Sequence, residues 1–202
     1  MHLYENHYTK LRFERAGLFK AIRDKYRCRD VLYPGCSVHI TPSLYFPHVV
    51  YVDQSDRAAQ FFADEKALLE FVNRNKQYRQ SAYVRFIRQD YSQSLPLMED
   101  AFDLLLSLFA GGIAHSCAEH LKPGGLLLTN NHQSDAMDAV NDGRFKLMAT
   151  VRFQKGQYVI LEDSVKEGTI PTQKINSKYL RQVDQGAEYI ENETYYVFER
   201  SR

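Results

Sequence analysis

The chain has 202 residues, of which 44% are hydrophobic and 13% aromatic. This length lies within the range of one domain, and this composition is sufficient for a hydrophobic core, which excludes a disordered chain. The 26 basic and 25 acidic side chains leave a formal net charge of +1, so there is no overall field to attract nucleic acid or an anionic membrane. No linker rich in proline, glycine or serine divides the sequence, and we expect a single domain over residues 1–202.

The cysteines and the apolar stretches indicate the cellular setting. Cys28, Cys36 and Cys117 form an odd set without a C-x-x-C pair, and the amino-terminal residues do not resemble a signal segment. The longest apolar stretch, Leu104–Ala114, is interrupted by Ser107 and two glycines and is shorter than the ~20 residues that a spanning helix needs. We therefore predict a reduced, cytoplasmic protein without a membrane span.

The first predicted element is an amphipathic helix over residues 8–27. Its apolar residues recur mostly three, four or seven positions apart, as on one face of a helix: Leu11, Leu18, Phe19, Ile22 and Tyr26. The other face is locally basic and carries Lys10, Arg12, Arg15, Lys20, Arg23, Lys25 and Arg27. We interpret it as a solvated face, with a contact to RNA or phosphate as the alternative.

Two buried strands follow, Val31–Tyr33 and Val49–Val52. Both are short apolar runs without polar alternation, which is typical of parallel strands covered on both faces. The first ends in a sharp turn at Pro34 and Gly35, and the second ends at Asp53. A carboxylate at that position is placed to bind a ribose in the crevice of an open α/β sheet.

The rest of the chain alternates between predicted helices and strands. Further helices are predicted over Ser55–Phe62 (with Ser55 as the cap), Asp64–Asn75, Ile113–Leu121, Ser134–Asn141 and Ser177–Gln185. Further strands are predicted over Tyr83–Asp90 (near a sheet edge), the start of Phe102–Gly112, Leu126–Asn130, Phe145–Phe153 and Glu193–Arg200. This repeated βαβ rhythm predicts an α/β fold.

The pattern resembles that of the class I S-adenosylmethionine-dependent methyltransferases over most of residues 8–142, and the closing ETYYVFER is similar to that family's last strand. Three motifs carry the resemblance: VLYPGCS at the family's glycine-rich cofactor turn, VVYVDQS at its second strand and ribose-binding acid, and HLKPGGLLLTN at a late turn and strand. The resemblance implies a three-layer αβα sandwich with a doubly wound, mostly parallel seven-stranded sheet and a late antiparallel strand. Residues 30–110 would form its cofactor-binding half and residues 111–202 the remainder.

The resemblance also implies a site for S-adenosylmethionine. Gly35, Cys36 and Ser37 would approach the amino acid part of the cofactor through their backbone, and Asp53 would accept both ribose hydroxyls. The other positions that it implies for cofactor binding are Gln54, Asp90, Tyr91, Leu108 and Phe109.

The cofactor turn departs from the family pattern. Tyr33 stands where the family has an acid, and Ser37 and His39 stand where it has further glycines. A residue with a Cβ costs on the order of 1–2 kcal/mol where φ must be positive. The alternative to a methyltransferase is therefore a catalytically inactive methyltransferase-like module that binds a ligand or a partner protein.

The methyl acceptor and the catalytic residues are not identified by the sequence. Residues 110–112 lack the Asn/Asp-Pro-Pro-aromatic motif of several amino-methylating relatives, so the acceptor is a small molecule or another unassigned substrate. Five polar residues are predicted nearest the carboxyl edge and are interpreted as loop or packing residues rather than bases: Tyr33, His39, His115, Asn131 and His132. His115, Cys117, His120 and His132 lack a zinc spacing, and we predict no metal.

Overall fold

The protein is described by a computed structural model, which covers residues 1–108, 110–162 and 193–201. Its strands are β1 (Asp30–Pro34), β2 (His48–Val52), β3 (Tyr83–Ile87), β4 (Phe102–Ser107), β5 (Leu121–Thr129), β6 (Phe145–Gln154), β7 (Gln157–Leu161) and β8 (Thr194–Arg200). Its α-helices are α1 (His2–Tyr4), α2 (Ala16–Tyr26), α3 (Asp56–Phe62), α4 (Glu65–Asn75), α5 (Ile113–Ser116) and α6 (Asp135–Asn141). A π-helical turn (Glu5–Thr9) and three 3-10 turns (Thr41–Leu44, Ala118–His120 and His132–Ser134) lie between them. The predicted helix Ser177–Gln185 lies outside the described residues.

The eight strands form one sheet in the order β3-β2-β1-β4-β5-β8-β6-β7. Strands β1 to β5 pair in parallel, and β8 lies antiparallel between β5 and β6. The expected mostly parallel sheet with a late antiparallel strand is thus confirmed, as is the position of β3 at a sheet edge.

The sheet has one more strand than the seven that were expected. The additional strand, β7, pairs antiparallel with β6 at the opposite edge from β3. The two strands are joined by Lys155 and Gly156, whose φ values of 50° and 84° are both positive. Positive φ at both central residues is what a type I′ two-residue hairpin turn requires, so the local chain geometry explains the extra strand.

Helices cover both faces of the sheet, as a three-layer sandwich requires. On one face, Val31 and Tyr33 of β1 belong to the same apolar core as α2 and α4. On the other face, Leu32 packs in a second core with α5 and α6. Because successive side chains of a strand point to opposite faces, the continuous apolar run in β1 supplies both cores.

The predicted amino-terminal helix is wrong over its first half. The α-helix begins only at Ala16, and it is preceded by the π-helical turn and by Arg12 and Arg15, which have φ values of 53° and 54°. The left-handed backbone turns the Arg15 side chain inward, and the residue as a whole is only 3% exposed. An uninterrupted helix would have left this arginine on the solvated face to which the sequence analysis assigned it.

The boundaries near the KPGG turn also differ from expectation. Helix α5 ends at Ser116 rather than near Leu121, and β5 begins at Leu121, before the two glycines. By contrast, the predicted cap of α3 is confirmed, because Ser55 Oγ accepts a hydrogen bond from Ala58 N at 3.3 Å. No helix of the described residues is long and apolar enough to cross a membrane.

Candidate functional site

The strand order reverses between β1 and β4, and in open α/β sheets the crevice outside the carboxyl ends of the strands at such a point is where ligands bind. Gly35 lies at this point, directly after β1, and its N–H donates to Val52 O at 2.8 Å. Its φ is +64°, and a Cβ at this position would lie 2.8 Å from Ala110 Cβ. The turn after β1 therefore touches the loop after β4, and only glycine meets both constraints.

Asp53 follows β2 and is held by the turn after β1. Its Oδ2 accepts from Ser37 N at 2.8 Å, and its Oδ1 accepts from Ser55 N at 2.8 Å. An ionised carboxylate has about four acceptor positions, so these two bonds fix its orientation and leave positions for two further donors. The pair of adjacent hydroxyls of a ribose fits such an acceptor.

The replaced glycine positions are accommodated by a different path of the turn. Ser37 has a φ of 49°, so a residue with a Cβ occupies the left-handed region there, and its N–H is the donor to Asp53. Cys36 is buried, and burial, together with the nearby charge of Asp53, raises the pKa of its thiol well above the ordinary value. Cys36 is thus a protonated, packed side chain that offers only its backbone to a ligand.

Asp90 and Tyr91 follow β3 on the neighbouring side of the crevice. Asp90 Oδ1 accepts from Ser92 N at 2.9 Å, a hydrogen bond that lowers the pKa of this exposed carboxyl. The Tyr91 hydroxyl donates to Gly111 O at 3.0 Å, which links the loop after β3 to the loop after β4. Together these loops and the one after β5 border an open cavity of about 550 Å³, lined by Gly35, Tyr91, Ala110, Gly111, Gly112 and Gln133.

The structure thus brings together most of the residues implied for cofactor binding. Ser37 and Asp53 are hydrogen-bonded, and Gly35 and Tyr91 line one cavity. Gln54 is exposed beside Asp53. Leu108 is buried in the core that contains α2, with 2% of its surface exposed, and Phe109 lies outside the described residues.

His39 is a structural residue, and its tautomer follows from its partners. Its Nε2 lies 3.1 Å from Glu14 O, which can only accept, so Nε2 carries the proton. Its Nδ1 then accepts from the Tyr33 hydroxyl at 3.0 Å. Burial lowers the pKa of the imidazole to about 3. With both nitrogens engaged, His39 joins β1 to the amino-terminal residues and does not act as a base.

The other polar candidates also have structural partners. Asn131 lies before α6, and its Oδ1 accepts a hydrogen bond from Met137 N of that helix at 3.2 Å. His120 Nδ1 donates to Met98 O at 3.2 Å, close to the amino ends of β4 and β5 and away from the crevice. In the part of the chain that the structure describes, no group of three His, Cys, Asp or Glu side chains could hold a metal ion.

A buried polar network at the carboxyl edge was not predicted. Arg15 Nε lies 3.3 Å from Glu193 Oε2 and donates to the Tyr195 hydroxyl at 2.7 Å, while Asn130 Nδ2 donates to Glu193 Oε1 at 2.6 Å. The Arg15 and Glu193 side chains are each 1% exposed. The only sequence signal was an acid immediately before the apolar strand β8, and its partner is 178 positions away.

Asp135 is a second buried carboxylate that sequence reasoning missed. Its Oδ1 accepts from Ala114 N at 3.2 Å, at the start of α5, and burial raises its pKa. Nearby, a Cβ on Gly111 would lie 2.7 Å from Gln133 Cβ. The loops after β4 and β5 are therefore packed directly against each other, with Asp135 holding the helix that follows the first of them.

Comparisons with known proteins bear on the fold. No protein-family model and no curated protein sequence matches the chain. The N-methyltransferase NodS from Bradyrhizobium japonicum WM9 superposes with a TM-score of 0.55 at 13% identity, over 95% of this chain and 97% of that one. NodS in complex with S-adenosyl-L-homocysteine (SAH) gives 0.50 at 12% identity, over 96% and 86%.

A third solved structure is a methyltransferase from Thermotoga maritima, described as S-adenosylmethionine-dependent and as a possible histamine N-methyltransferase. It superposes with a TM-score of 0.52 at 13% identity, over 100% of this chain and 96% of that one. At such identities the comparison establishes the architecture alone. The chain has the fold of the class I S-adenosylmethionine-dependent methyltransferases.

Proposed function

We propose that the protein is an S-adenosylmethionine-dependent methyltransferase that acts on a small-molecule acceptor. The observation that carries the proposal is the carboxylate of Asp53, oriented by Ser37 N and Ser55 N beside the turn after β1. Its remaining acceptor positions suit the two hydroxyls of a ribose. The fold supports the proposal, since the solved structures with this architecture include one in complex with SAH.

Each element of the crevice has a role in this proposal. The backbone of residues 35–37 holds the amino acid end of the cofactor, and Asp53 with Gln54 holds the ribose. Asp90 and Tyr91 contact the adenine, and Leu108 packs beside the adenine or the sulfonium. The cofactor supplies a methyl group that is already activated as a sulfonium.

The remaining task of the protein is to hold the acceptor in line with that methyl group. Proximity and orientation supply roughly 7–11 kcal/mol of such a barrier, so an acid or base is not required. We place the acceptor at the open side of the cavity beside Gly35 and Ala110, because the proposed cofactor residues Gly35 and Tyr91 line that same cavity. Its side chains carry no charge: Tyr91, Ala110 and Gln133 with three glycines.

The cofactor proposal is tested by titrating the protein with SAH in a calorimeter. We expect saturable binding, and we expect Asp53→Ala to weaken it at least about tenfold, since hydrogen bonds to a charged group contribute roughly 1.5–3 kcal/mol. Asp56→Ala is the matched control. It removes an exposed carboxylate three positions away, which pairs with Arg88 rather than facing the turn after β1, and its SAH affinity should equal that of the wild type.

Two results would contradict the proposal. Absence of SAH binding at millimolar concentration would show that the fold does not bind this cofactor. Equal weakening by Asp53→Ala and Asp56→Ala would show that ligand and acid interact only through general electrostatics. Unfolding curves of both variants establish that each is folded at the temperature of the titration.

The inactive binding module remains the second candidate function, favoured by the loss of two glycine positions at Ser37 and His39. It predicts SAH binding without methyl transfer to any compound in a broad screen of amines, phenols and thiols. RNA binding through a basic amino-terminal helix loses support, because Arg15 is buried against Glu193 and because Lys20 and Arg23 pair with Asp24.

A further inference from the structure

Residues 1–15, which we call the amino-terminal segment, lie over the carboxyl edge of the sheet. The Tyr4 hydroxyl lies 2.9 Å from Thr41 Oγ1, in the loop between β1 and β2, and donates to Glu14 Oε1 at 2.7 Å. Glu14 O in turn accepts from His39 Nε2. These contacts attach the segment to the residues that follow the cofactor turn.

Tyr8 has a fixed position within the amino-terminal segment. Its ring is stacked on the His39 imidazole with 4.2 Å between centroids and 9° between planes. Phe13 stacks against the same tyrosine at 6.2 Å and 21°. His39 is itself held by the Tyr33 hydroxyl at the end of β1, so the Tyr8 ring is fixed relative to the crevice.

The hydroxyl of Tyr8 is within electrostatic range of charged groups near the crevice. Burial is the main cause that raises its pKa, and the charges that act on it include those of Arg15, Arg57 and Asp53. The neighbouring His7 also lies within range of Arg57, which adds to the effect of burial in lowering its pKa. Arg57 is in the first turn of α3, which follows Asp53 in the chain. The segment therefore lies close to both the turn after β1 and the start of α3.

Within the described part of the chain, the Tyr8 hydroxyl makes no hydrogen bond, although its ring is stacked on His39 and Phe13. A hydroxyl whose ring is fixed beside the cofactor turn and that has no protein partner is available to a ligand at that turn. Asp53 has acceptor positions to spare at the same place.

We propose that Tyr8 is a cofactor-binding residue, which covers the ribose held by Asp53 and whose hydroxyl donates a hydrogen bond to an oxygen of the ligand. This inference rests on the proposed function, since it requires a nucleoside ligand at Asp53. It assigns to the amino-terminal segment one wall of the cofactor site. Binding of the ligand then buries the segment further.

The test compares SAH affinities of the wild type, Tyr8→Phe and Tyr26→Phe by calorimetry. Tyr8→Phe keeps the ring stacked on His39 and removes only the hydroxyl, and we expect its affinity to fall about 3–10-fold, the usual range for one hydrogen bond. Tyr26→Phe is matched, because the Tyr26 hydroxyl also lacks a partner within the described residues, yet Tyr26 lies at the amino edge of the sheet. Its affinity should stay within twofold of the wild type.

A second measurement reports on the segment directly. Trypsin cleaves after exposed basic residues, and Lys10 and Arg12 are exposed within the segment. At SAH concentrations near 100 times the dissociation constant, we expect cleavage of the wild type at these positions to slow by roughly tenfold or more. In Tyr8→Phe, at the same absolute SAH concentration, the slowing should be smaller.

The outcomes separate the two proposals. The first outcome is that the wild type binds SAH and that Tyr8→Phe binds it as tightly as Tyr26→Phe does. If SAH also slows cleavage at Lys10 and Arg12 equally in the wild type and in Tyr8→Phe, the role of Tyr8 is excluded and the cofactor site stands. If the wild type itself fails to bind SAH, both proposals fall together.

Discussion

Gly35 joins two loops of the crevice, and it illustrates how closely a single residue is constrained there. We predict that Gly35→Ala lowers the free energy of unfolding by about 2–4 kcal/mol. A Cβ at a φ of +64° costs on the order of 1–2 kcal/mol, and the contact with Ala110 at 2.8 Å adds a similar cost of overpacking. Urea unfolding of the two proteins measures the difference.

Gly124→Ala separates the two causes of that loss. Gly124 has a φ of +80°, but a Cβ there would meet no atom within 4 Å. Only the backbone strain should appear, about 1–2 kcal/mol. Equal losses in the two variants would show that the turn after β1 and the loop after β4 are not in contact.

At the scale of the elements, the Arg15–Glu193 pair connects the start of α2 to the start of β8. We predict that Arg15→Met and Glu193→Gln each lower the free energy of unfolding by about 3–5 kcal/mol, because each breaks a buried ion pair by removing one of its two charges. The double variant should lose less than the sum of the two. Denaturant unfolding of the four proteins measures this coupling.

An exposed ion pair provides the comparison for the buried one. Arg144 and Asp142 are 2.6 Å apart with side chains 43% and 20% exposed, and removal of either should cost less than about 1 kcal/mol. Additive losses in the Arg15 and Glu193 double variant would mean that the two side chains contribute to stability independently of each other.

For the whole molecule, His39 makes stability depend on pH. Its folded pKa, lowered by burial to about 3, lies below its ordinary value of 6.5. The unfolded chain therefore binds one proton more than the folded chain as the pH falls below 6.5. Stability is present above that pH and is lost below it, by at most about 1.4 kcal/mol per pH unit from this residue.

His39→Phe isolates that contribution when urea unfolding is measured at pH 7, 6 and 5. The variant loses two hydrogen bonds and should be less stable at every pH, but its stability should fall less steeply between pH 6.5 and 5. Hydrogen bonds from Lys20 and Arg144 lower the pKa values of Asp24 and Asp142. The stability that these two carboxylates contribute is therefore lost mainly below pH 5, outside the measured range. If the free energy of unfolding falls equally steeply with decreasing pH in both proteins, His39 is protonated in the folded state.

The strands and the acid of the crevice were predictable from the sequence because their signals are local. Apolar runs bounded by turn residues identified β1 and β2, and the position of Asp53 after β2 followed from them. The contacts that fix this acid were not predictable, since Ser37 N depends on the path of a turn that departs from the family pattern. Tyr8 and Arg15 were assigned to one continuous helix, because periodicity does not reveal the break before Ala16, and Glu193, the partner of Arg15, is 178 positions away.

The position of β8 between β5 and β6 has a consequence for how this chain is made. The ribosome completes β5 and the β6–β7 hairpin well before residues 194–200 emerge, and until then β5 and β6 each carry a row of unpaired backbone groups. Open strand edges of this kind pair readily with other chains. A nascent or prematurely terminated chain is therefore the form most exposed to aggregation and most dependent on chaperones, although only seven residues are missing from its sheet.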